Sequence, residues 1–215
     1  QWQEEFINYG LLFKKKEDRV IVESYPAVEF QNSFSVLCWI KPQTSEEEFV
    51  IVSKLLKNQK IKGFSLSVKK GSLIAEIAND SKNAEIVKKD LIVSEVWQQV
   101  GLILDLTEKK LKLIYNGAKV EGRDIDFSAS TGNAPLVIGG GEGFSAGYRG
   151  FISSLMGYQV AVPEALCKKS FDSILVDLQK AEKDRKEKAA VRDELKKNFS
   201  ELNTLNELLE EQDTV

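Results

Sequence analysis

The 215-residue sequence contains no histidine, one methionine, two cysteines and four prolines. Without histidine there is no side chain poised to titrate near neutrality and no ordinary zinc ligand, so Ser-His-Asp, Cys-His and histidine–metal chemistry are excluded. The two cysteines, Cys38 and Cys167, form no Cys-x-x-Cys pair, which leaves a closed zinc site short of ligands. A run of about 18 apolar residues, the minimum for a membrane-spanning helix, is missing, and so is a charged-then-apolar leader. Charge of one sign is not in excess either: 30 Lys and Arg stand against 33 Asp and Glu. The two signs are interspersed, so no basic stripe is available for a phosphate backbone and no nucleic-acid partner is expected. The chain begins with Gln1, which reads as a processed mature form or a fragment of something longer.

What is present is alternation. Across Phe34–Pro42, Phe34, Val36, Cys38 and Ile40 fall on one side and Ser35, Leu37, Trp39 and Lys41 on the other, the period-two pattern of a central strand. Cys38 reads as a small buried hydrophobe within it. Similar stretches are expected as strands at 6–13, 19–23, 49–56, 63–68, 72–78, 97–104, 110–115, 136–139, 151–156 and 158–162. Between them lie a charged turn at 14–18, a polar loop at 79–83 and a tight turn at Asn116-Gly117. A dozen or so short strands with turn signals between them predict a two-sheet antiparallel β-sandwich with a jelly-roll arrangement. Trp39 and Trp97 stand mid-strand and are expected in its interior.

After Val162 the pattern changes. Pro163 opens a helical stretch, Ser170 reads as its N-cap with Asp172 in the first turn, and no Gly or Pro follows Ser170. The expected organisation is a sandwich over 1–165 and a long helix over 166–215. Phe171, Ile174, Leu175 and Leu178 give its first turns an apolar face, and the middle is charged. An apolar seam returns at Leu195, Phe199, Leu202, Leu205 and Leu209, with Asn206 near a register-setting position. That seam is expected to bind a helical partner or to self-associate as a coiled-coil stalk.

The order Phe13, Asp18, Val20 to Val22 and Phe34-x-Val-x-x-Trp39, followed by Trp97-Gln-Gln-Val-Gly-Leu-Ile-Leu-Asp105 and Leu111-Lys-Leu-Ile-Tyr-Asn-Gly117, resembles the laminin-G-like branch of the concanavalin A-like lectin/glucanase superfamily. The resemblance covers residues 6–162 and implies the sandwich fold, with glycan or protein recognition as the class of activity. It also brings glycan-cleaving relatives and calcium into question. The retaining glucanases of this fold carry Glu-x-Asp-x-(x)-Glu on one strand, and nothing here has that spacing. Asp124 and Asp126, and the run Glu46 to Glu48, read as solvated surface. No enzyme activity is expected. Where relatives often carry two acidic residues after the Ile of the penultimate strand, this chain has Ser153 and Ser154, and where they read Trp-His-His-Val it has Gln98 and Gln99. The oxygen-bearing loop residues Asp18, Asp80, Asn83 and Glu142 are scattered, so neither calcium nor another cofactor is expected.

The glycine-rich stretch 139–150 loosely matches a dinucleotide fingerprint but precedes a strand, so no helix N-terminus is available for a pyrophosphate. It reads instead as a rim loop. Together with the loop at 79–83 it supplies the expected ligand residues Asp80, Asn83, Glu142, Tyr148 and Arg149. The triplets Asn79-Asp-Ser81 and Asn198-Phe-Ser200 fit the N-glycosylation pattern. The sequence thus reads as a non-catalytic recognition or adhesion module on a helical stalk, extracellular or at the cell surface. The other reading is a structural subunit of a larger assembly, an intracellular scaffold attached through its helix.

Overall fold

The computed structural model describes residues 2–3, 10–23, 30, 32–56, 62–129, 134–140 and 147–212. Residues 1–173 form one compact unit and residues 174–215 a second.

The first unit is a sandwich of two antiparallel sheets. Seven strands make one sheet, in the spatial order β1 (Trp2–Gln3), β2 (Gly10–Phe13), β13 (Gly150–Tyr158), β4 (Phe34–Pro42), β9 (Gln98–Asp105), β10 (Lys110–Tyr115) and β11 (Ala118–Asp124). Six make the other: β3 (Val20–Val22), β12 (Leu136–Ile138), β5 (Glu48–Leu56), β6 (Lys62–Lys69), β7 (Ser72–Ala78) and β8 (Asn83–Lys88). β4 lies at the centre of its sheet, and Phe34, Val36, Cys38 and Ile40 face the core as their alternation predicts. They meet Phe64, Leu66 and Val68 of β6 and Leu73, Ala75 and Ile77 of β7 from the opposite sheet, all fully buried. Trp39 and Trp97 are buried too.

Three strands escaped the sequence pattern, the two-residue β1 and the longer β8 and β11, all at sheet edges. β8 buries only Ala84 and Ile86, and β11 buries no residue fully. An edge strand has a single ladder to satisfy and needs few apolar side chains. Asn83 is therefore the first residue of a strand and not part of a loop. Near the C-terminal end of the sandwich, the expected strand 158–162 does not form, only its Tyr158 being paired, and the expected strand 151–156 is part of a longer strand, β13. A bulge between Ser153 and Met156 interrupts it, with Ser154 at φ 49°. An extra residue in the ladder bends the strand and breaks its alternation.

The helix α1 runs Glu164–Gln212. It starts earlier than Ser170: the Pro163 carbonyl accepts hydrogen bonds from the Leu166 and Cys167 amides at 2.9 and 3.2 Å. Ser170 therefore lies inside the helix and caps nothing. The first turns of α1 belong to the sandwich unit and cover the outward face of the seven-stranded sheet. There Cys167 packs with Leu37, Ile103 and Ile114, and Phe171 stacks on Trp39. Alternate residues of β4 thus serve two cores, one between the sheets and one beneath the helix. Both cysteines are free and buried. They belong to different cores, and burial pushes the Cys38 thiol up to about 12. In the second unit the helix surface carries Lys183–Glu187 and Lys197–Glu201 ion pairs at 3.9 and 3.8 Å, the i,i+4 spacing that supports an exposed helix.

Candidate functional site: a cleft on the rim of the seven-stranded sheet

At one end of the sandwich three neighbouring strands present their outward residues side by side. Phe151 on β13 stands opposite Lys41 of β4 and Leu12 of β2. Inward neighbours Ile40, Ile152 and Phe13 are locked in the core, so the strand period fixes Lys41 and Phe151 outward. These residues, with Lys14, Gln43 and Glu95, line a cavity of about 350 Å³. The Phe151 ring forms part of its wall. Lys41 Nζ lies 6.0 Å from that ring's centre, and Trp97 meets it at 6.1 Å and 46°.

The surrounding loops are held by specific backbone contacts. Glu95 adopts φ 59°, uncommon for a side chain with a Cβ, and its amide donates to the Pro42 carbonyl at 2.8 Å. Gly150 has φ 129°, and a Cβ there would collide with the Lys41 carbonyl. The turn 14–18 is closed by Asp18, whose carboxylate accepts the Lys14 and Lys15 amides at 2.7 and 3.0 Å. Those amides, Lys15 first, hold its carboxyl below the usual range. Beside the cleft, Glu47 pairs with Lys16 at 3.1 Å and Arg149 at 3.0 Å. The hydrogen bond from Lys16, reinforced by Arg149, holds the Glu47 carboxyl below its ordinary value.

The expected ligand residues do not form one site. Arg149 is at this rim, tied to Glu47. Tyr148 is not on the surface: it is fully buried, its ring wedged edge-on against Phe13 and Phe49 at 5.7 and 5.2 Å. Its hydroxyl donates to the Phe151 carbonyl at 2.8 Å. A glycine-rich flank suggested an exposed loop, whereas the ring fills the end of the core. Asp80 and Asn83 are exposed but lie at the other end of the sandwich. Leu56 pairs with Lys62 and Ala78 with Asn83 there, whereas Glu48 pairs with Lys69 at the Arg149 end. The nine residues of β5 separate the two ends by roughly 26 Å at the rise of a strand. Asp80 makes a surface pair with Lys62 at 2.5 Å. Glu142 lies outside the described residues.

Asp124 and Asp126 are partners of Lys110 and Lys82 on the surface. Among the described residues no group of three His, Cys, Asp or Glu side chains is arranged to hold a metal ion. Lys41, Gln43, Glu95 and Phe151 were not singled out from the sequence. The only signal for Lys41 and Phe151 was strand parity, which becomes a site only once the register of β2, β13 and β4 is known, and Gln43 and Glu95 lie outside strands. An aromatic face beside amines, an amide and a carboxylate offers stacking and directional hydrogen bonds.

The family model of the concanavalin A-like lectin/glucanases superfamily, in its laminin-G-like form, matches residues 14–165. The chain belongs to this superfamily. No curated protein matches it in sequence. Among solved structures, the binding domain of Paraclostridial Mosquitocidal Protein 1 is similar with a TM-score of 0.65 and 19% identity, over 80% of this chain and 45% of that one. The Botulinum neurotoxin serotype G binding domain gives 0.64 and 14%, over 80% and 44%. The Ruminococcus gnavus IT-sialidase CBM40 bound to α2,3-sialyllactose gives 0.64 and 16%, over 75% and 96%. The chain thus spans less than half the length of either toxin domain. At these identities the likeness establishes the superfamily's sandwich. Among the described residues, no helix is long and apolar enough to cross a membrane.

Proposed function

We propose that the chain is a non-catalytic recognition module that holds a glycan in the rim cleft, in an extracellular or cell-surface setting. The observation that carries this reading is the cleft itself. It sets the Phe151 ring beside Lys41, Gln43 and Glu95, an apolar face beside a few fixed polar groups, the mixture that oriented recognition of a polyol needs. The similarity to a sialidase module bound to sialyllactose favours glycan over peptide.

The test is a glycan array read with wild type, Phe151→Ala and Lys41→Ala, with and without added calcium. Binding by wild type that falls at least tenfold in both variants, while their melting temperatures stay within a few degrees, is the expected result. Silence of the wild-type protein across neutral and acidic glycans would sink the reading.

A second reading, attachment to an assembly through the helix, is favoured by the exposure of Val191, Leu195 and Phe199 at 56, 62 and 69%. Such a row is more apolar than a solitary helix tends to expose. Leu202, Leu205 and Leu209, which would continue the seam, lie outside the residues whose side chains are described. Sedimentation of the full chain beside Leu195→Glu/Phe199→Glu tests it. A concentration-dependent dimer that the double change abolishes supports a coiled-coil stalk, whereas two identical monomers remove self-association.

A further inference from the structure

Along β4 the outward residue next to Lys41 is Trp39, flanked by Gln99 on β9 and Ser153 on β13. Trp39 lies next along the same outward face, under the first turns of α1, where Phe171 lies flat against it with ring centres 5.3 Å apart and planes 6° apart. Gln99 is fully buried beside them, and neither its side-chain oxygen nor its nitrogen has a hydrogen-bond partner. Its neighbour Gln98 shows what a satisfied amide looks like here. Gln98 accepts from the Val93 amide and the Tyr115 hydroxyl and donates to the Val93 carbonyl. An amide closed off from water without partners disfavours the closed state, and any opening that admits water or a hydroxyl relieves it.

We propose that residues 164–173 are a lid over a latent half of the cleft. When it lifts, the Trp39 face and the Gln99 amide become a subsite for a neutral pyranose. The sugar's apolar face lies on the indole, one hydroxyl donates to the Gln99 oxygen, and another accepts from its nitrogen. The subsite rests on the glycan reading of the cleft; the lid does not. The closed position is held by the Trp39–Phe171 stack, by Cys167 in its apolar cluster and by Lys112 Nζ, 3.7 Å from Glu164.

Cys167 reports on the lid, because it belongs to it and is fully buried against the sheet, while Cys38 is fully buried between the sheets. Iodoacetamide labelling of the full chain, followed by mass spectrometry and normalised to each thiol's rate in the unfolded chain, separates the two. Cys167 is expected to label at least tenfold faster than Cys38. Phe171→Ala, or the milder surface change Glu164→Gln, should speed Cys167 further without moving Cys38, and Gln99→Leu should slow it severalfold. Equal native rates for the two thiols, or faster Cys167 labelling in Gln99→Leu, overturn the lid.

The subsite is read on an array of neutral oligosaccharides. Phe171→Ala should bind at least tenfold more tightly than wild type, and Phe171→Ala/Gln99→Leu should lose that gain. Wild-type binding that Phe151→Ala abolishes but Phe171→Ala leaves unchanged overturns the subsite and keeps the cleft. Silence in every variant overturns both.

Discussion

The ring of Phe171 lies parallel to the indole of Trp39, 6° apart in plane and 5.3 Å between centres, so an outward residue of the sandwich is among its most buried. Replacing Trp39 by Ala removes that stack and opens a void beneath the helix. A loss of about 3–5 kcal/mol in urea unfolding is expected. A wild-type midpoint in Trp39→Ala would show that the indole contributes nothing to the second core.

Gly117 should tolerate no side chain. Its φ is 77°, and a Cβ there would sit 2.8 Å from Phe171 Cβ and 2.9 Å from Lys168 Cα. Shortening Phe171 cannot relieve the second contact, which is backbone. Gly117→Ala should therefore cost about 1–3 kcal/mol from the left-handed conformation alone, more with the clash, and lower the melting temperature even in a Phe171→Gly background. Full rescue by Phe171→Gly would mean that the turn does not fix the helix by contact with its backbone.

Lys112 is largely buried on the outward face and sits within 4 Å of Glu108 (2.7 Å), Glu164 (3.7 Å) and Asp105 (3.8 Å). The Glu108 hydrogen bond comes first among the causes that raise its pKa above 10.5. A raised folded pKa means that this contribution is fully present below the unfolded value and is lost as pH rises through the folded one. Stability measured across pH 9 to 12 should therefore fall in wild type partly because Lys112 deprotonates. Lys112→Met should show a shallower fall, and an identical slope in the two would remove Lys112 from the alkaline transition.

The central strands were legible because they bury one face completely: Phe34–Pro42, Ser72–Ala78 and Lys110–Tyr115 keep the bounds that their alternation suggested. β8 and β11 were not, since an edge strand is held by backbone hydrogen bonds that leave no mark on side-chain pattern. The site was less legible still. Arg149 stands at the rim beside Glu47, Tyr148 is in the core, and Asp80 and Asn83 are at the far end. Sequence proximity to a turn says nothing about which end of a sandwich that turn occupies. Lys41 and Phe151 are 110 positions apart in the chain and are joined only by the register of β4 with β13.

Distance from the cleft gives a control. Asp80→Ala removes a surface pair with Lys62, which is worth at most about 1 kcal/mol. It should change stability by no more than that and leave any glycan response intact, where Phe151→Ala abolishes it. If Asp80→Ala and Asn83→Ala abolish binding while Phe151→Ala does not, the ligand occupies the opposite rim.

Ser35 Oγ donates to the Val160 carbonyl at 2.9 Å and accepts the Val162 amide at 2.8 Å, pinning the chain just before α1 begins. A helix turns about 100° per residue, so that pin sets rotational phase. A slip of one residue at Val162 would swing Phe171 off Trp39 and bring Ser170 or Asp172 round toward the indole. The hydroxyl of one serine on β4 thus acts as the indexing tooth that decides which side of the first turns of α1 faces the sheet.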